Sequence, residues 1–140
     1  MSEHNPLFNE TRDAYEDLQM ARARALRERK NILIELGADW CIWCHRLETF
    51  IRSHSGLHLL RSHLYVHVRI HAGDGETFSE VCKLLPPFES IPHYFVFRAA
   101  GQFLHSQDTS SLEEGDSYNY ERVWEFLSIW GDKNSQSPIQ

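Results

Sequence analysis

The chain has 140 residues, 41% hydrophobic and 24% charged, which is the size and makeup of one globular domain with a core of its own. A net charge of -6 excludes the basic face of a general nucleic-acid binder, and no apolar run approaches the roughly 18 residues of a membrane-spanning helix. Three cysteines are too few for a disulfide-stapled scaffold, which marks Cys41 and Cys44 as candidates for chemistry.

The opening "MSEHNPLFNE" lacks the basic and apolar regions of a signal peptide. The chain as written therefore reads as cytoplasmic, and as exported if a signal segment has been removed ahead of it. From Asn9 to Lys30, Ala14, Leu18, Ala21 and Ala25 recur at helical spacing, with Asn9 or Thr11 to cap the N-terminus. Acids gather in the first half of this helix (Glu10, Asp13, Glu16, Asp17) and bases in the second (Arg22, Arg24, Arg27, Arg29, Lys30), a gradient that complements the helix dipole.

"ILIEL", Ile32 to Leu36, reads as a buried strand interrupted by Glu35 and punctuated by Gly37. A helix is expected from about Trp43 to Ser53, with a break at Gly56 before the shorter "LHLLR". "LYVHVRI" alternates Val66, Val68 and Ile70 against His67 and Arg69 at strand period, and "HAGDGE" reads as a turn. Thr77 to Leu85 is a short helix stopped by Pro86 and Pro87, with Cys82 as a buried packing thiol on its apolar face. "IPHYFVF" and "GQFLHS" make a hairpin around Ala99 to Gly101, and "DTSSLEEGDS" reads as a polar loop. The helix "YERVWEFLSIW" turns Val123, Leu127 and Trp130 inward and leads into a tail, "GDKNSQSPIQ". This alternation predicts an α/β fold, a sheet with helices on both faces and an extra helix at the N-terminus. One domain spans 1–140, its core running from about 31 to 130.

Cys41 and Cys44 fall at the seam between the first strand and the following helix. Cys-x-x-Cys after a strand suggests a redox dithiol, Cys-x-x-Cys-His, completed by His45, is also a c-type haem attachment signature, and Cys-x-x-Cys with nearby histidines can be half of a zinc site. Against haem stand the missing signal segment and the lack of a clear second axial ligand. Against zinc stands the scatter of the nine histidines. At a helix N-terminus the free N-H groups and the dipole favour a thiolate, which suits Cys41 as nucleophile. Cys44, one turn in and more enclosed, suits the resolving role.

The stretch resembles the thioredoxin superfamily, in which a strand, Trp-Cys-x-x-Cys and a helix form the active site. "ILIEL" stands for the strand, Trp40 precedes Cys41, and Cys44 leads the helix. The family's second hallmark, an Ile-Pro pair opening a late strand with the proline cis against the dithiol, is matched by Ile91 and Pro92. The N-terminal helix and the "SQDTSSLEEG" segment look more like the bacterial thioredoxin-like and disulfide-isomerase-like branch. The resemblance implies a thioredoxin fold with a central mixed sheet and a thiol:disulfide oxidoreductase, reductase or isomerase, using no metal or organic cofactor. Glu35, six residues before Cys41, stands where the family carries a buried acid that moves the Cys44 proton, and enclosure in an apolar strand suits a carboxyl to that task. Its other reading is a structural pair with His67 or Arg69. Trp40, Trp43, Ile91, Pro92 and His93 are the expected substrate-facing residues, His93 either as a cation that favours the thiolate or touches substrate, or as a polar residue with no catalytic role. The implied partners are protein disulfides or dithiols and an upstream redox partner, with the chain a monomer that binds neither nucleic acid nor membrane. A non-catalytic module that keeps the fold and holds a peptide in its cis-proline groove is the alternative from another class.

Overall fold

The computed structural model describes residues 6–73 and 76–131. Helix α1 (Ala14–Glu28) leads into β1 (Asn31–Gly37), and the chain continues through α2 (Ile42–Ser53), α3 (Ser55–Leu64) and β2 (Tyr65–His71). After α4 (Glu76–Cys82) come β3 (His93–Phe97) and β4 (Phe103–Asp108), a 3-10 turn at Thr109–Leu112, the short pair β5 (Glu113–Glu114) and β6 (Ser117–Tyr118), and α5 (Tyr120–Trp130). The main sheet has the order β2-β1-β3-β4, with β1 parallel to β2 and antiparallel to β3. This is the α/β mixed sheet of a thioredoxin fold.

Alternation along the strands divides the core. Ile32, Ile34 and Leu36 join Val66, Val68, Ile70 and Phe95 under α1 and α4. Leu33, Tyr94 and Val96 face the other way, onto Leu47 and Ile51 of α2, Leu57 of α3 and Val123, Phe126 and Leu127 of α5. All seven positions of β1 are buried, because it is central in the sheet and covered on both faces. Glu35 and Gly37 therefore point toward α2, the helix that carries the cysteines.

Several boundaries differ from the sequence reading. Helix α1 begins at Ala14, capped by Asp13, whose carboxylate accepts from Glu16 N at 3.1 Å. Asn9 instead closes a turn, its Oδ1 accepting from the Thr11 amide at 2.9 Å and hydroxyl at 2.6 Å. The helix ends where Arg29 turns left-handed at φ 58°. Its bases serve the fold: Arg22 donates to Ala100 O at 2.9 Å and Lys30 to Ser62 O at 2.9 Å.

The chain breaks at His54 rather than Gly56, which lies inside α3. Helix α4 ends at Cys82, with a turn carrying the chain on to the prolines. Cys82 is half-buried rather than enclosed, and it is the last residue of a short helix. The expected polar loop is ordered: Asp108 caps the 3-10 turn through Ser110 N at 3.0 Å, and a two-residue hairpin follows. Residues 132–140, most of the expected tail, and residues 74–75 of the expected turn lie outside the described residues.

Candidate active site

The sheet itself brings the two motifs together. In the β1–β3 register Leu36 pairs with His93, so Pro92 enters the sheet beside Gly37, where β1 hands over to the dithiol loop. The Ile91–Pro92 peptide is cis. Thr109 Oγ1 donates to Pro92 O, tying this loop to the 3-10 turn.

Cys41 is the cap residue of α2. Its backbone is extended (φ -82°, ψ 112°), its N-H bonds Ala38 O at 3.0 Å, and its Sγ accepts from Cys44 N at 3.3 Å. The Cys41 thiol lies 3.9 Å from Ile91 O, on the cis-proline loop. Only 6% of Cys41 is exposed, and Cys44 is fully buried. The pair is unbridged. Burial, then the bond with Cys41, pushes the Cys44 thiol far up, and the charge of Glu35 adds to the effect. Cys44 thus holds its proton until a base removes it.

Around Cys41 the surface is apolar. Trp40 is 77% exposed and Ile42 60% exposed, one on each side of Cys41. Trp43 is half-buried, edge-on to Tyr118 with ring centroids 5.6 Å apart, and Arg46 lies 4.7 Å over its ring. Tyr118 Oη also donates to Trp43 O at 3.3 Å, so the β5–β6 hairpin buttresses the turn between the cysteines.

Glu35 is 1% exposed and meets both partners foreseen for it: His67 Nε2 stands 2.7 Å and Arg69 Nε 3.6 Å from Oε1. The pairing and the closeness to Cys44 therefore coexist. His93 differs from the expectation of a thiolate-favouring cation. It is buried, bonded through Nε2 to Ser106 Oγ at 2.7 Å and packed on Phe95, and burial lowers its affinity for a proton, which leaves it neutral at pH 7. His45 bonds Asp39 O at 2.6 Å and so closes the loop before Cys41. Among the described residues no three His, Cys, Asp or Glu side chains converge as metal ligands.

The N-terminal segment is a part of the site that sequence reasoning missed. Leu7 N donates to Asp39 Oδ1 at 2.8 Å, and Phe8, 2% exposed, packs with Ala38, Cys41 and Cys44. Gly37 makes room for both: a Cβ there would clash with the edge of the Phe8 ring and lie 2.8 Å from Cys44 Sγ. A segment more than thirty residues upstream leaves no periodic signal that could have placed it. Tyr118 and Thr109 were hidden in the same way, in a stretch whose polar composition reads as loop.

The comparisons with known proteins agree with this geometry. A family model described as thioredoxin-like matches residues 13–99, which include Glu35, both cysteines and Pro92. No curated protein sequence gives a significant match. Among solved structures, the chain is similar to the disulphide isomerase from Xylella fastidiosa Temecula1, with 20% identity, a TM-score of 0.74, and coverage of 91% of this chain and 98% of that one. It is also similar to the C-terminal domain of Neisseria meningitidis DsbD in the oxidised form, with 18% identity, a TM-score of 0.56, and coverage of 80% and 92%. At these identities the likenesses speak for the fold, whereas the family match spans more than half of the sequence. The chain belongs to the thioredoxin-like family.

Proposed function

We propose that the protein is a thiol:disulfide oxidoreductase that reduces or isomerises protein disulfides through Cys41 and Cys44. The observation that carries this reading is the cap of α2: Cys41 Sγ receives the Cys44 N-H at 3.3 Å at a helix N-terminus, beside the cis Ile91–Pro92 loop. The Cys41 thiolate attacks one sulfur of a substrate disulfide, forming a mixed disulfide and releasing the other substrate sulfur as a thiolate. Glu35 takes the proton of Cys44, whose sulfur then attacks Cys41 and frees the substrate. The dithiol loses two electrons and the substrate disulfide gains them. Such exchange requires no metal or organic cofactor, and an upstream redox partner restores the dithiol by the reverse sequence.

The exposed rings and side chains of Trp40 and Ile42, with Trp43, Ile91, Pro92 and the backbone of His93, form the surface that receives an extended substrate segment. The protein works as a single domain and as a monomer. Trapping tests this reading. Cys44→Ser should accumulate mixed disulfides with substrate proteins, since attack still occurs and resolution does not, whereas Cys41→Ser should accumulate none. Equal trapping by both variants, or by neither, contradicts it, and the second result is what a non-catalytic peptide-holding module gives.

A further inference from the structure

Glu35 is surrounded by charge and polar groups from every element packed on it. From β2 come His67 and Arg69, from β3 Tyr94 opposite it in register, from α2 Cys44 and Glu48, and from α3 Arg61. Arg61 and Arg52 hydrogen-bond Glu48 at 2.8 Å and 2.6 Å, while Arg69 Nη2 stands in ion-pair contact with Glu48 at 2.6 Å without a hydrogen-bond partner among the described residues. Tyr94 Oη is buried with no hydrogen-bond partner among the described residues. Among the described residues His67 is thus the one side chain that hydrogen-bonds Glu35, through Oε1 at 2.7 Å, and Oε2 is enclosed with no partner. On its outer side His67 reaches the free edge of the sheet, where with Arg69, Arg24 and Arg27 it lines an open cavity of about 610 Å³.

We propose that His67 is the positioning residue for proton transfer at Cys44: by holding Oε1 of Glu35 it leaves Oε2 as the oxygen that accepts the Cys44 proton. This rests on the oxidoreductase reading above. In the resolving step the Cys44 S-H bond breaks and its proton passes to Glu35 Oε2. The Cys44 sulfur attacks the Cys41 sulfur, the Cys41–Cys44 bond forms, and the bond from Cys41 to substrate breaks. The substrate sulfur leaves with the electron pair and takes a proton from water. Burial lowers the proton affinity of His67, so at neutral pH it serves as a neutral N-H donor that orients Glu35 through Oε1. Arg69 Nε, 3.6 Å from Oε1, makes no hydrogen bond to it.

The test separates the two thiols by using dithio-bis-nitrobenzoate as substrate, in a Cys82→Ser background. Attack by Cys41 releases one thionitrobenzoate and leaves another on Cys41; attack by Cys44 then releases the second. The first phase reports the nucleophile and the second reports resolution. His67→Gln keeps an N-H near the position of Nε2, and His67→Asn falls short of it. His67→Asn should slow the second phase roughly tenfold or more, with the first phase unchanged, and His67→Gln should restore most of the rate. In the Glu35→Gln background the two replacements should give equal second-phase rates. A second phase that is the same in His67→Asn and His67→Gln, whether fast or slow, overturns the positioning role, as does a difference that persists without Glu35. Absence of the second phase from the parent protein would instead contradict the oxidoreductase reading itself.

Discussion

Cys41 and Cys44 are three residues apart and differ in their surroundings. Cys41 sits at the mouth of a helix N-terminus with a sliver of exposed surface, while Cys44 is sealed and its thiol is held protonated by burial. Cys82 is half-buried, and burial raises its thiol as well. Brief alkylation at neutral pH with mass mapping should therefore label Cys41 first, Cys82 slowly and Cys44 last. Labelling of Cys44 ahead of Cys41 would reverse the assigned roles. At this scale the sequence was informative where a residue carries a chemical signature in its neighbours. The two cysteines, Trp40, Glu35 and the Ile91–Pro92 pair could be read from spacing and resemblance. Phe8, Thr109 and Tyr118 could not, because each reaches the site across a distance in sequence that no local pattern encodes. The departure of His93 from the cationic alternative has the same origin: burial lowers its proton affinity, and only the folded sheet brings Phe88 and Phe95 against it.

The elements that place the site meet at the end of β1. Gly37 is small because the Phe8 ring and the Cys44 sulfur pack directly on its backbone. Gly37→Ala should destabilise the fold by about 1–3 kcal/mol, as overpacking of a filled core does. Phe8→Ala should cost about 3–5 kcal/mol and open Cys44 to alkylation. Combining them should recover part of the Gly37→Ala loss, since the ring that the new Cβ meets is gone. Urea unfolding of the four proteins checks this, and simple additivity of the two losses would contradict the direct contact. Element type was legible wherever periodicity ran for more than one turn or strand, as in α1, β1, β2 and α5. Boundaries and short pieces were not. Asp13 competes with Asn9 and Thr11 as a cap, and only the turn that Asn9 closes decides between them. The 3-10 turn and the β5–β6 hairpin are held by Asp108, Asn119 and the packing of Tyr118, in a segment with no apolar period at all.

Across the whole molecule a band of charge lies between the sheet and α2, and it makes stability depend on pH. Burial acts to raise the Glu48 carboxyl, but bonds from Arg61 and Arg52 and the charge of Arg69 outweigh it and hold it at about 2. A depressed carboxyl stabilises the fold fully above its ordinary value of 4.5 and loses that contribution as pH falls toward 2. His67 and His93, lowered chiefly by burial, cost nothing above their ordinary value of 6.5 and weaken the fold as pH falls below it, because the unfolded chain then binds the protons more readily. Thermal unfolding should therefore show decline below about pH 6.5 and a second decline below about pH 4.5. Glu48→Gln should cost on the order of 2 kcal/mol at pH 7, with the difference from the parent closing toward pH 2. A difference that stays constant from pH 7 to pH 2 would contradict the ion-pair account.

This charged band, the cis-proline loop and the N-terminal segment all converge on one couple, and its redox behaviour tests the account most directly. The reduced protein is equilibrated against graded ratios of reduced and oxidised dithiothreitol or glutathione, quenched, and read by mass and peptide mapping. The account predicts a single reversible two-electron transition, a disulfide joining Cys41 to Cys44 with Cys82 left free, and a potential between about -270 and -120 mV. Failure of Cys41 and Cys44 to bridge under oxidising conditions, or pairing of either with Cys82 instead, would contradict it.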